Sequence, residues 1–204
     1  MKAYHFTGKK LRDGRGIPKI GEWLVHDGPL EMCSSGLHAS REPFDALQYA
    51  PGSILHLVEV GGEIIKGDDK LVARKRKILA SFDAEDLLWE YARQCALDVY
   101  HLWGNDQTDP KGVCKRYLET GDEKLGAAAW AVAGAVAGAI AGAAARAAAR
   151  AVAGDAAGAA AWDAARADAW ADTGDAWDAA WDAAWDAQRK RFNKMVKDKF
   201  KELL

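Results

Sequence analysis

The spacing of apolar and polar positions divides the chain into a strand-rich front and a helical back. Lys2-Ala-Tyr-His-Phe-Thr7 alternates with a period of two and stops at Gly8, which predicts a short strand. Gly21-Glu-Trp-Leu-Val25 reads as a second strand, and Ser40 is placed to cap a short helix carrying Phe44, Leu47 and Tyr49, ended by Pro51-Gly52. Ser53 to Val60 is rich in branched side chains and predicts a strand stopped by Gly61-Gly62, with shorter strands at Glu63-Ile-Ile65 and Lys70-Leu-Val-Ala73.

From Asp83 onward the period changes to three and four. Leu88, Tyr91, Cys95, Val99 and Leu102 fall on one face of a helix running to about Trp103, and a short helix follows over Lys111 to Glu119. The pairs Gly121-Asp122, Gly154-Asp155 and Gly174-Asp175 each join a residue suited to a helix C-terminus to one suited to the next N-cap. They predict helices over about 123–153, 155–173 and 175–203, with one continuous rod as the alternative. Between Gly126 and Ala187 alanine dominates, and Gly, Trp or Arg recurs at every fourth position. A four-residue step winds slowly round a helix, so small residues appear on several faces and favour closely packed antiparallel helices. In the last helix Trp177, Trp181, Trp185, Phe192, Val196, Phe200 and Leu203 form one apolar stripe. Its flanks change from acidic, at Asp178, Asp182 and Asp186, to basic between Arg189 and Lys201.

The 204 residues form an α+β protein in this reading: a small strand-rich domain over 1–80, connecting helices over 81–120 and an alanine- and tryptophan-rich helical region over 121–204. A net charge of -2 selects no partner, and Cys33, Cys95 and Cys114 are too few and too scattered for a disulfide framework, which points to the cytoplasm. The uncharged part of the alanine tract is too weakly apolar to span a membrane. His5, His26, Cys33 and His38 lack the paired spacing of a zinc site, so no metal is expected. Nucleic acid is not expected as a partner either, because core packing of the tryptophans and solvation of the aspartates account for the Trp/Asp repeat, and the basic end of the last helix is a solvated face.

Three stretches carry a resemblance. Tyr4-His5-Phe6-Thr7-Gly8, then Cys33-Ser-Ser-Gly36-Leu37-His38-Ala39-Ser40, then Ser53 to Gly61 resemble in order and spacing the ADP-ribosyltransferase-like fold of the poly-ADP-ribose polymerase type. The resemblance implies that His5 meets the nicotinamide ribose, that His38 takes the place of a stacking tyrosine and that Tyr49 matches the tyrosine closing the helix. Lys70 to Lys77 contains no acid where the family's catalytic glutamate lies, so binding is expected in place of transfer.

The expected ligand-binding residues are therefore His5, His38 and Tyr49, with Arg41 and Arg74 on phosphates. The ligand is NAD or a related signalling nucleotide, and no resident cofactor is expected. Over Tyr4 to Leu204 the chain is also similar to phage and bacterial proteins that join such a domain to alanine-rich helices. That likeness implies an accessory role in a bacterial host, such as countering host defence, by a homo-oligomer associated through Ala/Gly helix faces. Two other functions stay open. The helices form an interaction or inhibitor module for a host protein, or ADP-ribosyl transfer proceeds with Glu59 or Glu63 brought into the site.

Overall fold

The computed structural model describes residues 1–103, 109, 111–135 and 174–204. Five strands form one antiparallel sheet: β1 (Lys2–Thr7), β2 (Trp23–Val25), β3 (Leu37–Ala39), β4 (Ile54–Lys66) and β5 (Leu71–Asp83). Helix α1 (Pro43–Leu47) lies between β3 and β4. After the sheet come α2 (Glu85–Asp98), α3 (Tyr100–Trp103), α4 (Val113–Thr120), α5 (Glu123–Ala135) and α6 (Gly174–Leu203). The chain divides into two compact units, Met1–Asp86 with Phe192–Leu204, and Leu87–Arg191.

The first unit is built on the β4–β5 hairpin. Each strand has 13 residues, so the sequence expectation of a strand ending at Gly61-Gly62 is corrected. A register shift between Gly61 and Ile64 absorbs the glycine pair, with Gly62 at φ 72° where a side chain would strain the backbone. β1 pairs with the first half of β4, and β2 and β3 divide the free edge of β5 between them. Tyr4 and Ser40 exchange both backbone hydrogen bonds, at 2.7 and 2.9 Å, which ties β1 back to the end of β3 and curls the sheet round. Ser40 is thus committed to strand pairing. Glu42 takes the N-cap of α1, with Pro43 at the first helical turn, where a missing N–H costs nothing.

A second shift, between Leu57 and Val58, leaves Leu79 without an opposite residue, because Leu57 faces Ala80 and Val58 faces Ile78. One extra residue reverses the alternation of side chains. Ser81 and Arg76, five residues apart, therefore project from the same face as their partners His56 and Val60. On the opposite face, Phe82 packs edge-on to Phe200 at 5.1 Å, Tyr4 lies 6.1 Å from the same ring, and Phe44 meets Phe192 at 6.2 Å. Phe192, Val196 and Phe200 are buried, whereas Leu203, placed on the same stripe by the sequence, is 47% exposed at the frayed end of the helix. The Phe44 N–H donates to Asn193 Oδ1 at 2.8 Å, and Lys197 pairs with Glu42 at 2.5 Å.

In the second unit, the hydroxyl of Tyr91 and the thiol of Cys95 on α2 donate to the carbonyl and side chain of Gln188, and Asp98 accepts a bidentate pair from Arg191 at 2.6 and 3.1 Å. Asp109 caps α4, accepting the N–H groups of Val113 and Lys115. Gly121, at φ 66°, ends α4 as its spacing predicts, and Asp122 accepts the Lys124 N–H at the start of α5. Cys114 donates to the Ala129 carbonyl, so the backbone of α5 approaches α4 where small side chains permit it. The predicted helix over 155–173, the remainder of 123–153 and the Gly154-Asp155 break lie outside the described residues. No helix among the described residues is long and apolar enough to cross a membrane.

Candidate functional site

The curled sheet, the 8–16 loop and the 33–40 segment enclose a cleft of about 570 Å³ within the first unit. His5 on β1, His38 on β3 and Tyr49 after α1 all border it, together with Lys10, Arg12, Arg15, Lys70 and Arg76. Asp13 is the one carboxylate in the lining, and Arg15 holds it at 2.7 Å. The wall is strongly cationic as a result.

Arg76 forms the floor. It is 8% exposed, and its Nη1 donates to the His38 carbonyl. No carboxylate pairs with it among the described residues, and burial alone pulls its pKa down to about 10. A buried guanidinium without a counter-charge carries a large desolvation penalty, which an anion in the cleft would offset.

The expected phosphate contacts divide differently. Arg41 and Arg74 do not border the cleft. Arg41 donates to the Asp68 carbonyl at 3.0 Å, tying α1 to the β4–β5 turn. Arg74 donates to the carbonyls of His26 and Gly28 and pairs with Glu63 at 2.8 Å, so it pins the 26–28 loop. Arg74 and Arg76, two residues apart, share a face of β5; Arg74 is held at the 26–28 loop beyond the cleft, while Arg76 lies at its floor. Lys10, Arg12 and Arg15 reach the cleft from the loop between β1 and β2, and only tertiary contact brings them there.

Each histidine has its own electrostatic setting. His56 is buried, with Nε2 2.8 Å from Thr7 Oγ1 and Nδ1 2.5 Å from Ser81 Oγ. Burial, then Arg76, lowers its pKa to about 4, so the ring is neutral. His5 lies opposite His56 in the β1–β4 register, and the two rings stack with centroids 6.4 Å apart. Burial, then Arg76, His56, His38 and Arg12, hold His5 well below its ordinary pKa. His38 is lowered chiefly by burial, with the Gly36 carbonyl opposing the shift, and its Nε2 accepts the Cys33 N–H at 3.0 Å. That bond orders the 31–35 turn, in which Cys33 has φ 68°, an unusual value for a residue with a side chain. Gly36, at φ 116°, approaches the sheet so closely that a Cβ would sit 2.3 Å from Val72 Cγ2.

At the mouth, the Tyr49 hydroxyl donates to Asp69, and Lys70 Nζ lies 4.3 Å above the ring. The ring, 45% exposed, is an aromatic plane beside a cationic cleft. Among the described residues no group of three or more His, Cys, Asp or Glu is arranged to hold a metal ion.

A family model described as a domain of unknown function, DUF7666, matches residues 1–90, which include every residue bordering the cleft. No curated protein and no solved structure matches the chain.

Proposed function

We propose that the N-terminal domain is an ADP-ribosyltransferase-like module that binds a nucleotide-type ligand, NAD-derived or a related signalling nucleotide, in this cleft. The observation that carries the reading is Arg76, a buried guanidinium without a carboxylate at the floor of a cleft edged by Lys10, Arg12 and Lys70. Guanidinium and ammonium groups around one space suit phosphate oxygens, and the Tyr49 ring suits a base or nicotinamide plane. His5 and His38 meet the ligand between these ends. Ribosyl transfer is not part of the reading, because the carboxylate in the lining, Asp13, is occupied by Arg15. The sequence likeness to phage proteins supports an accessory role in the cytoplasm of a bacterial host, removing such a nucleotide from a defence pathway.

Native mass spectrometry and calorimetry with NAD, ADP-ribose and cyclic nucleotides test the reading. Arg76→Met is expected to weaken the best ligand by at least tenfold, while the double variant Arg41→Ala/Arg74→Ala changes the affinity by less than threefold. Unchanged affinity in Arg76→Met would sink the site assignment. Failure of the wild-type protein to bind any of the panel would shift the function to the helical region and a host protein partner.

A further inference from the structure

His5 stands apart from the other histidines. His26 contacts the Pro29 carbonyl and Ser35 hydroxyl, His38 the Cys33 N–H, His56 the Thr7 and Ser81 hydroxyls, and His101 the Asp98 carbonyl. Among the described residues no group hydrogen-bonds the His5 ring, yet its nitrogens are not sealed in protein and the residue borders the cleft. The ring is nonetheless positioned. It stacks on His56, which is held from both sides by Thr7 and Ser81, so three adjacent strands fix the imidazole with its nitrogens free. A fixed, unengaged imidazole among cations that bind phosphate has the placement required of a general base.

We propose that His5 is the base with which this cleft hydrolyses a phosphoanhydride bond of its nucleotide ligand. The proposal rests on the binding reading above and adds chemistry to it. A water between His5 and the ligand attacks one phosphorus, and its proton passes to the free imidazole nitrogen. The new P–O bond forms as the bond between the attacked phosphorus and the bridging oxygen breaks, and the second phosphate departs as an anion carrying that oxygen beside Arg76, Arg12 and Lys10. The proton then leaves His5 for solvent, so a dinucleotide plus water gives two nucleoside monophosphates. No acid is required for the leaving group, because a phosphate leaves as an anion that the surrounding cations stabilise.

The cations also set the base. Burial, then the charges of Arg76, His56, His38 and Arg12, disfavours a protonated His5, which keeps the ring able to accept a proton at neutral pH. A bound pyrophosphate offsets their field and raises the proton affinity of His5 when the water is in place. His5 thereby becomes a stronger base in the complex than in the free protein.

The test incubates the full-length protein with NAD and with ADP-ribose in 18O-labelled water containing EDTA, and follows AMP by mass spectrometry. The expected result is AMP formation with one 18O in a product phosphate. His5→Gln and His5→Asn are each expected to lower the rate at least 100-fold while nucleotide affinity, measured on the same preparations, changes by less than about fivefold. Retained affinity also shows that the variants are folded. Wild-type protein that binds nucleotide and forms no AMP would overturn the hydrolysis and leave the binding reading intact. AMP formation that survives both substitutions, or that EDTA abolishes, would overturn the role of His5. Absence of both binding and AMP would remove the two readings together.

Discussion

The two faces of the sheet handle burial in opposite ways. One is closed by aromatic rings, with Tyr4 and Phe82 against Phe200 and Phe44 against Phe192, and its contacts are made by groups that lose nothing on leaving water. The other buries His56 and Arg76 and half-buries His5, each at an electrostatic cost recorded in a lowered pKa. Both faces bury apolar side chains, Val58, Val60 and Ile78 on the second, so both contribute stability. The second spends some of it to hold a neutral imidazole and an uncompensated guanidinium beside an open cleft, which is the arrangement a binding site requires.

The largest expected effect breaks the apolar face. Phe192 is fully buried, and Phe192→Ala is expected to cost about 3–5 kcal/mol by lost transfer energy and cavity formation. Urea denaturation checks this, and a loss below 1 kcal/mol would show that the helix end contributes little to the first unit.

Next comes the acid response of the polar face. Folded His56 stays unprotonated down to about 4, whereas the unfolded chain takes up a proton near the ordinary value of 6.5. Protons therefore favour the unfolded state between these values. The stabilisation is complete above pH 6.5 and is lost as pH falls towards 4, by roughly 3 kcal/mol for this residue alone. His5 and His38, also lowered, act in the same direction. Denaturation at pH 7 and pH 4.5 measures the slope, and His56→Gln should make it shallower. An unchanged slope would place the acid sensitivity elsewhere.

The smallest effect has the opposite sign. Arg76→Met removes a buried charge without a partner and is expected to raise the stability of the ligand-free protein by about 1 kcal/mol while weakening nucleotide binding. Thermal melts with and without ligand separate the two. A destabilised Arg76→Met would mean that the bond to the His38 carbonyl outweighs the cost of burying the charge.

Some of this was readable without coordinates. The alternation of Lys2 to Thr7 set β1 at its observed bounds, and Gly121-Asp122 marked the junction between α4 and α5, because these are local preferences of backbone and side chain. His5, His38 and Tyr49 were grouped by the resemblance, and all three border one cleft. The choice among Arg74, Lys75, Arg76 and Lys77 was not readable, since alternation puts Arg74 and Arg76 on one face and composition says neither which face is inside nor where along the strand the cleft lies.

The sequence by itself determined the α+β division, the first strand and the helix junction at Gly121, since each depends on residues close together in the chain. The tertiary structure alone decided that β4 passes through its glycine pair, that Ser40 pairs with Tyr4, and that Phe192 and Phe200 close a sheet formed far earlier in the chain. It also decided that one unpaired residue, Leu79, directs Arg76 inward. Strand register and long-range packing are set by energies summed over partners distant in sequence, so a single displaced residue in one strand determines which charge becomes the floor of the cleft.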